Sequence, residues 1–205
     1  HAMEPSQTPE RALTAARALD NLIPASGHLL HMPSHIYVRT GLWNEAIEQN
    51  VKALDADQKY LKLSPQQGMQ YIYMIHNSHM LAYAAMMSGR EKEAMSAARH
   101  MWEQTPDAVI AKIGPVFDRW MCSVYDVQKR FGRWDEIIAE PAPPATLPAL
   151  RSSRHATVSR RCAGACRPSC RASTRSRALR SQSCCSAKAP TKNFPARSNP
   201  IQRDP

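Results

Sequence analysis

The sequence predicts an all-α chain of antiparallel helix pairs followed by a disordered basic tail, and three observations carry that reading. Gly41, Gly89 and Gly132 each open a similar run: Gly41-Leu42-Trp43-Asn44-Glu45-Ala46-Ile47, Gly89-Arg90-Glu91-Lys92-Glu93-Ala94-Met95 and Gly132-Arg133-Trp134-Asp135-Glu136-Ile137-Ile138. Apolar residues recur at helical spacing through residues 1–145, and no stretch alternates as a strand does. Near residue 150 the composition changes abruptly. Residues 151–205 hold 13 Lys and Arg against the single acid Asp204, so the whole chain's net charge of +10 comes from the tail.

Taken in order, Thr8-Pro9-Glu10 reads as a helix start, with Thr8 as N-cap and Pro9 in the first turn, where its missing N–H costs nothing. Ala12, Ala16, Leu19 and Ile23 continue an apolar stripe that Pro24 ends, predicting a helix over 9–22. A second helix is predicted over 28–40, ended by Gly41, and a third over 43–62 with Ala46, Ile47, Asn50, Ala53 and Leu54 on one face. Leu63-Ser64-Pro65-Gln66-Gln67-Gly68 reads as a loop. Helices over 70–88 and 91–104 flank Gly89, and a last pair spans 116–131 and 134–139 around Gly132.

Beyond Pro141-Ala142-Pro143-Pro144 the pattern stops. Among the 55 residues from 151 onward, Arg, Ser, Ala, Cys and Pro account for 39, and the only large apolar residues are Val158, Leu179, Phe194 and Ile201. Such a segment buries too little to offset its ordering entropy, so residues 146–205 are expected to be disordered. The same composition is what GC-rich DNA gives in a shifted frame, and the chain opens at His1 without an initiator Met. A fragment missing sequence at both ends is the expectation. Five of the six cysteines lie in this tail, and Cys162-x3-Cys166-x3-Cys170 lacks the spacing of a zinc knuckle. The body keeps only Cys122, which excludes a disulfide framework and fits a reducing, cytoplasmic setting. No apolar run approaches membrane-spanning length.

The glycine-anchored runs resemble the tetratricopeptide repeat, a helix-turn-helix unit of about 34 residues. Ala12 to Ala46 is one such step, and a proline follows the alanine by the same interval at Pro24 and Pro106. The later glycine spacings are longer, which implies extended helices or insertions. His1-Ala2-Met3-Glu4 and His31-Met32-Pro33-Ser34-His35-Ile36-Tyr37 further resemble a bacterial group of long tetratricopeptide-repeat proteins of unassigned function. The resemblance implies an α-solenoid over residues 1–145 whose concave face receives a protein or peptide partner, or a small ligand. That face would present His28, His31 and His35, then His76, His79 and Tyr83, then Arg119, Cys122 and Asp126, with Arg39 alongside. His1 and Glu4 follow if the alignment extends back.

The histidines suggest chemistry of their own. His28 and His31 precede Gly41 by the same intervals as His76 and His79 precede Gly89. His28, His31 and His35 share one helical face. Neutral imidazoles ligate zinc, copper or iron, and three meeting at a point leave an open position. The alternative to the binding module is therefore a metal-binding protein, with hydrolysis as the activity an open position would allow, and a divalent ion such as zinc held by His28, His31, His35, His76 and His79, with His1 and Glu4 as further donors. Pro33 bends the helix between His31 and His35 and decides whether the rings meet. If they bind nothing, they hydrogen-bond across packed helices, with His31 and His79 stacked on Tyr37 and Tyr83.

Trp43, Trp102, Trp120, Trp134 and the Met86-Met87 pair fall at helical spacing and read as core. His100 reads as a surface or packing residue. Arg39, Arg119, Lys129 and Arg130 are positioned to hold a carboxylate in the groove. The tail's arginines have no interleaved aromatics or folded reader, which argues against specific nucleic-acid recognition.

Overall fold

Left-handed glycines punctuate the chain where the sequence places them. The computed structural model describes residues 1–65 and 68–141, and the side chains of residues 113–116 lie outside that description. Gly41, Gly89 and Gly132 have φ of 76°, 79° and 70°. In this region a Cβ crowds the following carbonyl, so glycine ends a helix here at least cost. Among the described residues all regular structure is helical.

After a 3-10 turn at Pro9–Ala12 come α1 (Leu13–Leu19), α2 (Gly27–His31), α3 (Ser34–Thr40), α4 (Trp43–Leu63) and α5 (Gln70–Met87). They are followed by α6 (Glu91–Gln104), α7 (Asp107–Met121), α8 (Ser123–Arg130) and α9 (Trp134–Ala139). Helices α4, α5, α6 and α9 lie within a residue of expectation. Three expectations need correction. Thr8 flanks the first turn without a side-chain cap bond, and Pro9–Ala12 is 3-10, so the 9–22 helix shrinks to α1. The 28–40 helix is two helices parted at Met32-Pro33, and its start is capped by Ser26, whose Oγ accepts from Leu29 N–H. The 116–131 helix divides into α7 and α8, and α7 begins at Asp107, directly after Pro106.

Helix α5 organises the packing, touching α2, α4, α6, α7 and α8. That explains its apolar composition: Met74, Ile75, Leu81, Ala84 and Ala85 are buried on several sides rather than along one stripe. Ala46, Ala53, Ala84, Ala94 and Ala98 are fully buried, and their small side chains let neighbouring axes approach closely. Met101, Phe117, Met121 and Ile137 extend the core toward α9. Two residues expected in the core lie at its edge, for Trp134 is 37% and Met87 38% exposed. No described helix is long and apolar enough to cross a membrane. The expectations for the tail, including the Cys162 to Cys170 pattern, lie outside the described residues, as do Gln66 and Gln67 of the loop.

Candidate metal centre

The break at Pro33 brings His31 and His35 together. His31 ends α2 and His35 lies in the first turn of α3, and their Nε2 atoms stand 2.9 Å apart with the rings edge to face. His76 reaches in from α5, its ring centroid 4.7 Å from that of His31 and 5.4 Å from that of His35. One nitrogen from each of the three lies within 4.8 Å of the others. His31 is fully buried and His35 5% exposed.

Hydrogen bonds fix where the protons sit. Asn50 Nδ2 donates to the Ala46 carbonyl at 2.7 Å, so Asn50 Oδ1 is the acceptor toward His31 Nδ1, also at 2.7 Å. The Glu4 carboxylate likewise accepts from His35 Nδ1 at 2.9 Å. Both histidines therefore carry hydrogen on Nδ1 and turn Nε2 toward each other. Two imidazole lone pairs at 2.9 Å need a second proton or a cation between them. Asn50 and Glu4 stand where outer partners of metal-bound histidines stand, each holding the remote N–H and so fixing ring orientation and tautomer.

The electrostatics favour the neutral form of His28, His31, His76 and His79. Burial lowers His31 well below the usual histidine range, reinforced by His76, while the Asn50 hydrogen bond acts the other way. Burial pushes His76 down to about 4, with His35 and His79 adding to the shift. His79 is likewise at about 4, through burial. His28 is lowered for the same reason. Neutral imidazoles offer lone pairs to a metal and no positive charge to an anion. The Nδ1 atoms of His28, His76 and His79 are buried without a hydrogen-bond partner among the described residues.

The remaining groove residues divide. His28 stacks on His31 and lies against Tyr73, its ring centroid 4.5 Å from the tyrosine's. His79 stacks on His76 and on Trp120. Glu4 and His1 do not reach the His31 side of the cluster; they form a second group on the opposite nitrogen of His35. Tyr83 packs against Trp43, Arg39 donates to the Ser6 carbonyl, and Asp126 pairs with Lys129. Arg119 is exposed. Cys122 is buried in the core, and burial raises its thiol to about 11. Stacking of His31 on Tyr37 and of His79 on Tyr83 does not occur. Tyr37 instead donates to Asp20, and His79 takes Trp120. His100 is half-buried beside Gln58. Sequence reasoning missed two residues: Asn50, read only as part of an apolar face, and Trp120, read as core but stacked 4.7 Å from His76.

The described residues thus form an all-helical fold with a buried cluster of histidines drawn from three helices. No family model matches the chain, and neither a curated protein nor a solved structure matches it.

Proposed function

We propose that this chain is a metal-binding helical-repeat protein whose centre uses His31 Nε2, His35 Nε2 and a nitrogen of His76. The observation that carries the reading is the pair of facing Nε2 atoms 2.9 Å apart, each on a ring whose other nitrogen is already held by Asn50 or Glu4. With metal–nitrogen bonds of about 2.1 Å, that separation subtends about 90° at the ion. Such an angle suits two adjacent positions of a tetragonal or octahedral site, and a widening of about 0.5 Å suits tetrahedral zinc. Three nitrogen donors leave a position for water or a ligand, the arrangement that metal-assisted hydrolysis requires.

The tetratricopeptide-like solenoid is part of the same proposal. The left-handed glycines between α3 and α4, α5 and α6, and α8 and α9 support a series of helical hairpins, with the histidines on their inner face. A splayed row of imidazoles would favour peptide recognition on that face; converging ones favour a metal.

The test is zinc binding by the full-length chain, with its reactive cysteines alkylated beforehand so that their thiolates do not contribute, Cys122 being buried in the core. The metal is counted by elemental analysis after equilibrium dialysis. One equivalent of zinc that is lost in His31→Ala and His76→Ala but kept in His100→Ala supports the centre. Wild-type protein that holds no more zinc than those two variants refutes it.

A further inference from the structure

The Nδ1 side of His35 carries a donor set of its own. Glu4 Oε1 lies 2.9 Å from His35 Nδ1, and Glu4 Oε2 lies 2.9 Å from His1 Nδ1. The His1 and His35 rings meet edge to face with centroids 4.4 Å apart. One ligand atom each from His1, Glu4 and His35 falls within 4.8 Å of the others. A carboxylate that served only to orient a metal-bound histidine would need one oxygen for that task. Here the second oxygen draws in another imidazole, and two nitrogens and a carboxylate meet on the side of His35 facing away from His31 and His76.

We propose that these residues form a second cation site, with His1 Nδ1, Glu4 and His35 Nδ1 as ligands, so that the His35 imidazole bridges two metal ions. The proposal rests on the inner centre for the bridge, though its own three ligands can hold an ion alone. The ions lie about 6 Å apart, given metal–nitrogen bonds of about 2.1 Å on either side of one ring. When the outer ion binds beside the inner one, the Nδ1 hydrogen of His35 leaves to solvent and the ring bridges as an imidazolate, His1 carries its hydrogen on Nε2 instead of Nδ1, and the hydrogen bonds to Glu4 give way to coordination bonds. Nitrogen and carboxylate donors together suit zinc and its first-row neighbours. Burial differs sharply between the two positions. The inner ligands His31 and His35 are buried, whereas His1 is 59% and Glu4 33% exposed, so water reaches the outer ion and completes its shell.

The two sites separate by stoichiometry. Zinc is counted at saturation on the full-length, thiol-alkylated chain, relative to His35→Ala and, as a second background that leaves His35 in place, to the double variant His1→Ala, His31→Ala. Two zinc ions per wild-type chain are expected. His1→Ala and Glu4→Gln, both altered at partly exposed positions, should each keep one, and His31→Ala should keep the other. One ion in the wild type, retained at saturation in both His1→Ala and Glu4→Gln, overturns the outer site and leaves the inner one standing. In that case Glu4→Gln only weakens the single site, by about 10- to 100-fold. One ion that survives His31→Ala but not His1→Ala supports the outer site and overturns the inner. No zinc above background overturns both.

Discussion

Burial of His79 without charge makes the metal-free protein sensitive to acid over a defined interval, and the size of the effect follows from the shift. Its folded value of about 4 lies below the ordinary 6.5, so the unfolded chain binds a proton that the native state refuses. Stability from this group is complete above about pH 6.5 and drains away as pH falls toward 4. Between pH 7 and pH 5, a shift of this size removes about 2 kcal/mol. His76, with the same folded value, removes a similar amount, and His31 and His28 act in the same direction. Asp57 opposes them. Burial raises its carboxyl to about 6, against a hydrogen bond from Asn77 that lowers it, so the native state takes up a proton earlier than the unfolded chain and gains about 1 kcal/mol over the same interval. The net loss for His76, His79 and Asp57 is therefore about 2 to 3 kcal/mol, or about 1 to 1.5 M in urea midpoint at a typical slope of about 2 kcal/mol/M. Urea unfolding in EDTA, followed by far-ultraviolet circular dichroism at pH 7 and pH 5, measures it. His79→Gln keeps a neutral polar side chain, and its own packing cost cancels in the difference between the two pH values. The variant should lose about 2 kcal/mol less than wild type on acidification. An equal loss in both proteins would refute the claim that His79 is held neutral by burial.

Two further outcomes follow from the packing. Gly27→Ala should cost more than about 2 kcal/mol in urea unfolding, because a Cβ there would stand 2.8 Å from the Ala53 carbonyl and overlap the Asp57 carboxylate, whereas Gly89→Ala, strained in φ but open in space, should cost about 1 to 2 kcal/mol. Trp120, stacked on His76 and His79, should account for most of the tryptophan quenching that Cu²⁺ produces, so Trp120→Phe should abolish the greater part of it in a fluorescence titration, and undiminished quenching would place the ion elsewhere.

What the sequence makes legible is what local chemistry decides. A left-handed turn tolerates few residues other than glycine, so Gly41, Gly89 and Gly132 mark helix ends without help from the fold. Pro33 could be seen to interrupt a helix, but whether the interruption gathers or scatters His31 and His35 depends on how α2 and α3 lie against α4 and α5. Asn50 illustrates the limit. Its position on the apolar face of α4 was plain, yet its role as acceptor for His31 comes from a partner on another helix. Helix α7 was misjudged for a different reason. Gly114 and Pro115 argue against a helix running through them, and the chain continues past them only by leaving helical angles at Phe117, with φ of −122° and ψ of 17°. The offset before the glycine that the repeat resemblance supplies therefore points to Arg119 for the groove, when the ring that meets the histidines is Trp120.

The cost of the cluster is itself an argument for the metal. A core that needed only volume at His31, His35 and His76 would be more stable with leucine or phenylalanine, which bury apolar area and demand no partners. The chain instead buries His31 and His76 with their protonation suppressed and leaves the Nδ1 atoms of His28, His76 and His79 without partners among the described residues. Each such buried, unsatisfied group costs about 1 to 3 kcal/mol. A cation that binds the folded chain and not the unfolded one stabilises it by about 4 kcal/mol at a thousandfold excess over its dissociation constant. That is the same order as the burden the histidines impose. Packing alone gives no reason to carry that burden, whereas coordination through His31 Nε2, His35 Nε2 and a nitrogen of His76 would offset the share that those three rings impose.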